Sequence, residues 1–124
     1  MDFTKPKRIG DEIDSDFEQL KLVQGYDHNF AVDIQAGKVE KIAEVKDEKS
    51  GRVMEVYSDL PGVQFYAGNC IDDTTGKGGA AYTKRSGFCL ETQYFPNSVN
   101  QKGFVSPVFD AGEAYRTTTI YKFL

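Results

Sequence analysis

Residues 86–95, Ser86-Gly87-Phe88-Cys89-Leu90-Glu91-Thr92-Gln93-Tyr94-Phe95, decide how the chain is read. Side chains alternate across a strand, so this stretch sorts into two faces. Phe88, Leu90, Thr92 and Tyr94 fall on one face; Cys89, Glu91 and Gln93 fall on the other. A period of two with aromatic content predicts a β-strand. A carboxylate beside an amide on an otherwise hydrophobic strand needs a reason, because charges are seldom buried without partners. Two readings stand. The face is solvated, which is the simpler reading of the pattern alone, or it is a sugar-binding or acid/base face. A carboxylate accepts from hydroxyls, and an amide both donates and accepts, which suits a polyol.

The same alternation recurs outward from this stretch. Residues 115–123 are rich in β-branched and aromatic side chains, with Tyr115, Thr119, Tyr121 and Phe123 on one face. Residues 62–69 put Val63, Phe65 and Ala67 on one face and Gln64 and Tyr66 on the other. Residues 38–47 and 52–58 form a hairpin around the polar turn Asp47-Glu48-Lys49-Ser50-Gly51. Residues 28–34 give a further strand. Residues 11–22, with Ile13, Phe17 and Leu20, give a turn or a short helix. There is no internal repeat, low-complexity segment or linker. Short strands between turn signals argue for an all-β fold, an antiparallel β-sandwich or a piece of one, with residues 1–124 as a single domain.

Composition narrows the function. The chain carries 19 acidic and 15 basic residues, a net charge of -4, spread along its length. No basic stripe exists to bind a phosphate backbone, so nucleic acid is not an expected partner. No apolar run approaches a bilayer span, and the first 17 residues have no signal-peptide core, so we expect no membrane role and a cytoplasmic location. Cys70 and Cys89 are the only cysteines. They are expected as buried thiols. With one histidine beside them they make no zinc site, which needs about four ligands.

Tyr26-Asp27-His28-Asn29-Phe30 is a second polar constellation. On a strand Asp27 and Asn29 share a face and His28 takes the other. A lone histidine next to an aspartate is more often a hydrogen-bonded structural residue than a general base. Asp27 is the better functional candidate, since carboxylates clamp pairs of sugar hydroxyls. Residues 69–79 are polar and glycine-rich, but Ile71 and Gly78 break the Walker pattern, and Asp72 and Asp73 lack calcium-loop spacing. They are expected to form a long hairpin loop. Sixteen Phe and Tyr side chains suit a β core, and some offer rings for stacking on a sugar.

Taken together these motifs resemble the galactose mutarotase (aldose 1-epimerase) family. Gly25-Tyr26-Asp27-His28-Asn29-Phe30 resembles the family's GYDHNF segment. Residues 61–69 resemble its PGVQFYTGN strand, and residues 86–93 its SGFCLETQ segment, with Pro96-Asn97 following. Gly112-Glu113-Ala114-Tyr115 and residues 118–123 resemble the family's final strand. Met1-Asp2-Phe3-Thr4-Lys5-Pro6 resembles its internal FDFRKP stretch. The resemblance covers essentially the whole chain and implies the C-terminal part of the mutarotase supersandwich.

The resemblance also implies roles. Glu91 falls on the catalytic base, Asp27 on a residue that binds sugar hydroxyls, and Gln64 on another substrate contact; the three are expected to share one sugar site. The activity implied is interconversion of the α and β anomers of hexoses such as galactose or glucose, without cofactor or metal. The family's catalytic acid is a histidine in an upstream Asn-His segment, and an upstream Asn-Arg segment also contacts the sugar. Neither segment is present in these 124 residues, because His28 matches the position after the aspartate. The expectation is a C-terminal portion that is inactive alone and that associates with a second copy or a complementing upstream chain. The alternatives are a non-catalytic carbohydrate-binding or accessory module, and a truncated reading frame without an independent role.

Overall fold

The computed structural model describes all of residues 1–124. Eight strands are formed: β1 (Asp27–Ala31), β2 (Glu40–Lys46), β3 (Val53–Ser58), β4 (Gly62–Tyr66), β5 (Thr74–Thr75), β6 (Ala81–Tyr82), β7 (Cys89–Gln93) and β8 (Thr119–Phe123). They make three sheets, ordered β1-β4-β7, β2-β3-β8 and β5-β6. The one α-helix, α1 (Glu18–Leu22), is a turn and a half long, and three 3-10 turns complete the regular structure. The chain is all-β, as the alternating sequence requires. Its contacts fall into two compact units, residues 1–28 with 65–89 and residues 29–64 with 90–124.

The first unit is organised around aromatic rings. Tyr26 lies 5.3 Å from Phe65 in a stacked pair, Phe3 meets both edge-on at 5.1 and 5.7 Å, and Phe88 meets Phe65 at 6.3 Å. Ile13, Leu20 and Ala67 are buried in the same unit. The helix expected over 11–22 is reduced to Glu18–Leu22, preceded by a 3-10 turn at Ile9–Asp11. Asp14, Ser15 and Asp16 compete with a helical backbone through their short polar side chains, and Phe17 is still extended at φ -115°. Asp14 instead holds Arg85, which donates to it from both terminal nitrogens at 2.8 and 2.6 Å. Arg85 also donates to the Gln24 carbonyl at 3.0 Å. Within residues 69–79 the expected long loop is shaped by β5 and by a 3-10 turn at Lys77–Gly79 that leads to β6.

The second unit is built on the β2-β3-β8 sheet, antiparallel throughout. Its hairpin turn is fixed by Asp47, whose carboxylate accepts from the Lys49 and Ser50 amides at 3.1 and 3.2 Å and from the Ser50 hydroxyl at 2.6 Å. Gly51 closes the turn at φ +72°, a conformation glycine adopts without Cβ strain. A bulge between Lys41 and Ala43 shifts the register, so Lys41 opposes Tyr57 and Ala43 opposes Val56. Val56 and Ser58 are fully buried. On the opposite face Glu55 accepts from Tyr57 at 2.9 Å and pairs with Lys122 at 3.2 Å and Lys41 at 3.3 Å.

Two sequence expectations are corrected. The last strand begins at Thr119, not at residue 115, because its partner β3 ends at Ser58, opposite Thr119. Beyond that point the Thr118 amide turns to the Asp59 carboxylate at 3.0 Å. Cys70 and Cys89 are exposed rather than buried. Cys70 follows the end of β4 in a turn, and Cys89 opens the edge strand β7.

Candidate functional site

β7 presents the residues that the sequence singled out. Alternation puts Glu91 and Gln93 on one face of the strand. Glu91 is exposed, and Gln93 is half-buried. The Gln93 carboxamide donates to Asn29 Oδ1 at 3.0 Å, and the same nitrogen reaches Gln64 Oε1 at 3.5 Å, the long end of hydrogen bonding. Three amides from β1, β4 and β7 therefore meet in the second unit, although they are far apart in sequence.

Gly62 makes that meeting possible. A Cβ at this position would lie 2.6 Å from Asn29 Oδ1 and 2.9 Å from the Phe95 ring, so any side chain would displace one of them. The Phe95 ring is itself held by Phe104, edge-on at 5.0 Å. Nearby in sequence, Tyr94, Phe109 and Tyr115 form an aromatic row with centroids 6.4 and 4.9 Å apart. Burial pushes the Tyr94 phenol above its ordinary value. β7 is joined to β8 by side chains: Tyr121 donates to the Leu90 carbonyl at 2.6 Å, and the Thr92 and Thr119 hydroxyls are 2.5 Å apart.

Asp27 opens β1 in the first unit and is half-buried. Its backbone N–H donates to His28 Nδ1 at 3.1 Å, so the imidazole serves the strand's own backbone. That is the structural role expected of a lone histidine beside an aspartate. No group of three or more histidine, cysteine or carboxylate side chains gathers in a metal-binding cluster.

Asn29 was the residue not singled out for a site role. Its signal was its place two residues after Asp27, on the same predicted face, and the glycine at 62 that leaves it room. An exposed carboxylate two positions from a carboxamide that is already oriented by two others can accept a proton while the amides hold a polar ligand.

A sequence model of the aldose 1-epimerase family matches residues 1–122. The chain is 47% identical over 126 residues to the galactose mutarotase of Homo sapiens, and 45% identical over 125 residues to that of Mus musculus. Each comparison covers 99% of this chain and 34% of the relative. With the aldose 1-epimerase of Escherichia coli K12 the identity is 32% over 126 residues, covering 100% of this chain and 36% of the relative. The chain spans about a third of the length of the curated relatives it matches.

Proposed function

The chain belongs to the aldose 1-epimerase family, and from that premise we propose that it supplies the base and part of the sugar-binding surface for interconverting hexose anomers. Opening the ring requires two proton transfers together. A base takes the proton of the anomeric hydroxyl while an acid protonates the ring oxygen; rotation about the C–C bond and closure on the other carbonyl face complete the exchange. Glu91 is the base in this reading. Asp27 accepts from sugar hydroxyls, and Gln64 makes a further contact. The observation that carries the reading is the arrangement on β7, where exposed Glu91 stands two residues from an amide fastened to Gln64 and Asn29.

The acid comes from outside these residues. His28 is the single histidine, and its Nδ1 is occupied by the Asp27 amide. A positioned acid or base contributes about 10²–10⁴-fold, so the 124 residues alone should show little activity. The second unit leaves Val99, Val105, Val108, Tyr115, Phe123 and Leu124 exposed. Apolar surface of this kind commonly marks an interface, and we assign it to a complementing chain or a second copy.

Polarimetry of freshly dissolved α-galactose tests the reading. The chain alone should not exceed the uncatalysed rate. Adding an upstream mutarotase segment that carries the Asn-His motif should raise it, and Glu91→Gln should abolish the gain. Full activity with Glu91→Gln would remove the base assignment. Galactose binding without turnover, with the segment present, would favour an accessory binding module instead. Light scattering of the chain alone should report association, and a monomer at high concentration would count against the interface.

A further inference from the structure

The two edges of the β2-β3-β8 sheet are finished differently. An edge strand leaves one row of backbone N–H and C=O groups unpaired, and folded chains blunt such rows with bulges and charges. β2 has both devices: the bulge between Lys41 and Ala43, and Glu40, Lys41, Glu44 and Lys46 along its length. β8 has neither. It pairs with β3 without a register break, it contains no proline or glycine, and Lys122 is its one charged side chain. The phase of the ladder says which groups its outer edge presents. Val53 and Leu124 exchange both backbone hydrogen bonds, at 3.1 and 2.9 Å. Antiparallel pairs alternate between bonded and non-bonded, so Lys122 and Ile120 also turn their backbone groups to β3. The N–H and C=O groups of Thr119, Tyr121 and Phe123 therefore face outward. The strand is held ready, because the Tyr121 hydroxyl donates to the Leu90 carbonyl and the Thr119 hydroxyl bonds that of Thr92.

We propose that a second copy of the chain adds at this edge, β8 against β8 and antiparallel, about a two-fold axis at Tyr121. This rests on the reading of the second unit's exposed apolar surface as an interface, and it deepens that reading by naming the occupant and the register. Strand addition works through backbone hydrogen bonds, and β8 complements itself in one register. With Tyr121 opposite Tyr121 of the second copy, Thr119 meets Phe123 and Phe123 meets Thr119. All three outward residues then find partners, and each pair exchanges two hydrogen bonds. Charge selects the same register, since Lys122 falls opposite Ile120 of the second copy. An axis at Lys122 would set the two lysines directly against each other, which destabilises a strand pair, and would carry Thr119 past the end of the facing strand at Phe123. An axis at Ile120 would set Phe123 against residue 117, which precedes the strand.

Sedimentation equilibrium and amide hydrogen exchange of the chain test this together. The chain should dimerise, and the amides of Thr119, Tyr121 and Phe123 should gain protection as concentration rises. Those of Ile120, Lys122 and Leu124 should be protected in monomer and dimer alike, and they report that each variant below keeps its fold. A chain that stays monomeric at high concentration would overturn both the proposal and the interface reading it rests on. A dimer whose three outward amides still exchange freely would overturn the proposal alone and move the interface elsewhere. Ile120→Lys sets ammonium groups against each other twice across the axis and should weaken the dimer about tenfold, whereas Ile120→Glu faces Lys122 twice and should tighten it several-fold. Equal dissociation constants for the two would overturn the register. In a Cys70→Ser, Cys89→Ser background, Tyr121→Cys should form an inter-chain disulfide, because residues facing each other on the axis lie about 5.5 Å apart. Lys122→Cys should not, because diagonal neighbours lie about 7–8 Å apart, and cross-linking through position 122 alone would also overturn the register. An upstream mutarotase segment carrying the Asn-His motif is then added. A dimer that survives it supports the second copy as occupant; a segment that dissolves the dimer and protects the same three amides would overturn that choice.

Discussion

The two units hide their apolar side chains to different degrees. In residues 1–28 with 65–89, Phe3, Tyr26, Phe65 and Phe88 interlock, and Tyr26 is fully buried. In residues 29–64 with 90–124, the buried set is smaller and mostly aliphatic: Val56, Leu60 and Val63. There the aromatic residues of the last strand remain outside, with Phe123 74% exposed. The unit with the aromatic core carries Asp27; the unit with more exposed apolar side chains carries Glu91, Gln64 and Gln93. The difference teaches that, in the proposed reading, the residues that pack the aromatic core are not the ones assigned to the chemistry. Rings at 3, 26 and 65 pack the first unit, whereas the rings at 115, 121 and 123 in the second stay 46–74% exposed.

Truncating one ring from each unit gives the largest contrast. Phe65→Ala removes a ring that contacts three others and should cost about 3–5 kcal/mol in a denaturant melt. Phe123→Ala should change the stability of the dilute chain by no more than about 0.5 kcal/mol, while reducing association. Equal losses for the two would erase the distinction between a core and an open surface.

Glycine sharpens the comparison at the level of the backbone. Gly68 in the first unit and Gly51 in the second have nearly the same φ, +71° and +72°. A Cβ at Gly51 would meet nothing, whereas one at Gly68 would lie 2.5 Å from the Gly87 carbonyl oxygen, a backbone atom that cannot swing aside. Gly51→Ala should cost about 1 kcal/mol from the left-handed conformation alone. Gly68→Ala should cost at least about 2–3 kcal/mol, since strain and a collision add. Thermal melts of the two variants that coincide would show that the first unit yields more readily than its packing implies.

Tyr26 provides a smaller effect of opposite sign. Its hydroxyl is buried with no hydrogen-bond partner, and burial pushes the phenol above its ordinary value. An unpaired buried hydroxyl is a cost carried by the folded state. Tyr26→Phe keeps the ring packing and removes that cost, so it should be neutral or stabilising by about 1 kcal/mol. A clear destabilisation would reveal a partner for the hydroxyl, such as an ordered water.

Much of this was legible locally. The alternation of residues 62–66 puts Val63 and Phe65 inside, and Asp47 with Gly51 marks the hairpin turn, because both depend on neighbours in sequence. The last strand was read four residues too long, since β-branched residues at 117 and 118 carry strand propensity but have no strand opposite them. Glu91 and Gln93 stood out as polar residues in an apolar run. Asn29 did not, because its value lies in meeting a side chain 64 positions away, that of Gln93. Local pattern says which face a residue takes, and only the pairing of β1, β4 and β7 says whom it meets there. Exposure of Cys70 and Cys89 was missed for a related reason: residue type favours burial, but a turn and a strand edge decide otherwise.

The smallest expected effect is electrostatic, and it appears in both units. Arg85 donates to Asp14 in the first and holds that carboxyl below its ordinary value of 3.8. In the second, the Tyr57 hydroxyl and then the Lys122 ammonium hold Glu55 below 4.5. A carboxyl whose value is depressed by folding binds its proton more weakly when folded than when unfolded. Its stabilising contribution is therefore complete above the unfolded value and disappears as pH falls through the folded one. Stability should decline as pH is lowered from about 5 through these ordinary values and below. Asp14→Asn and Glu55→Gln should each flatten that decline while leaving its onset in place. Both carboxylates are near the surface, so added salt should weaken their partnerships as well. A surviving full pH dependence in the doubly substituted chain would move the acid sensitivity to other carboxylates, of which the Asp47 turn is the next, its value lowered by the Ser50 hydroxyl and the Lys49 and Ser50 amides. Asp47→Asn would then flatten what remained, and the hairpin of the open unit would prove the part most easily undone by acid.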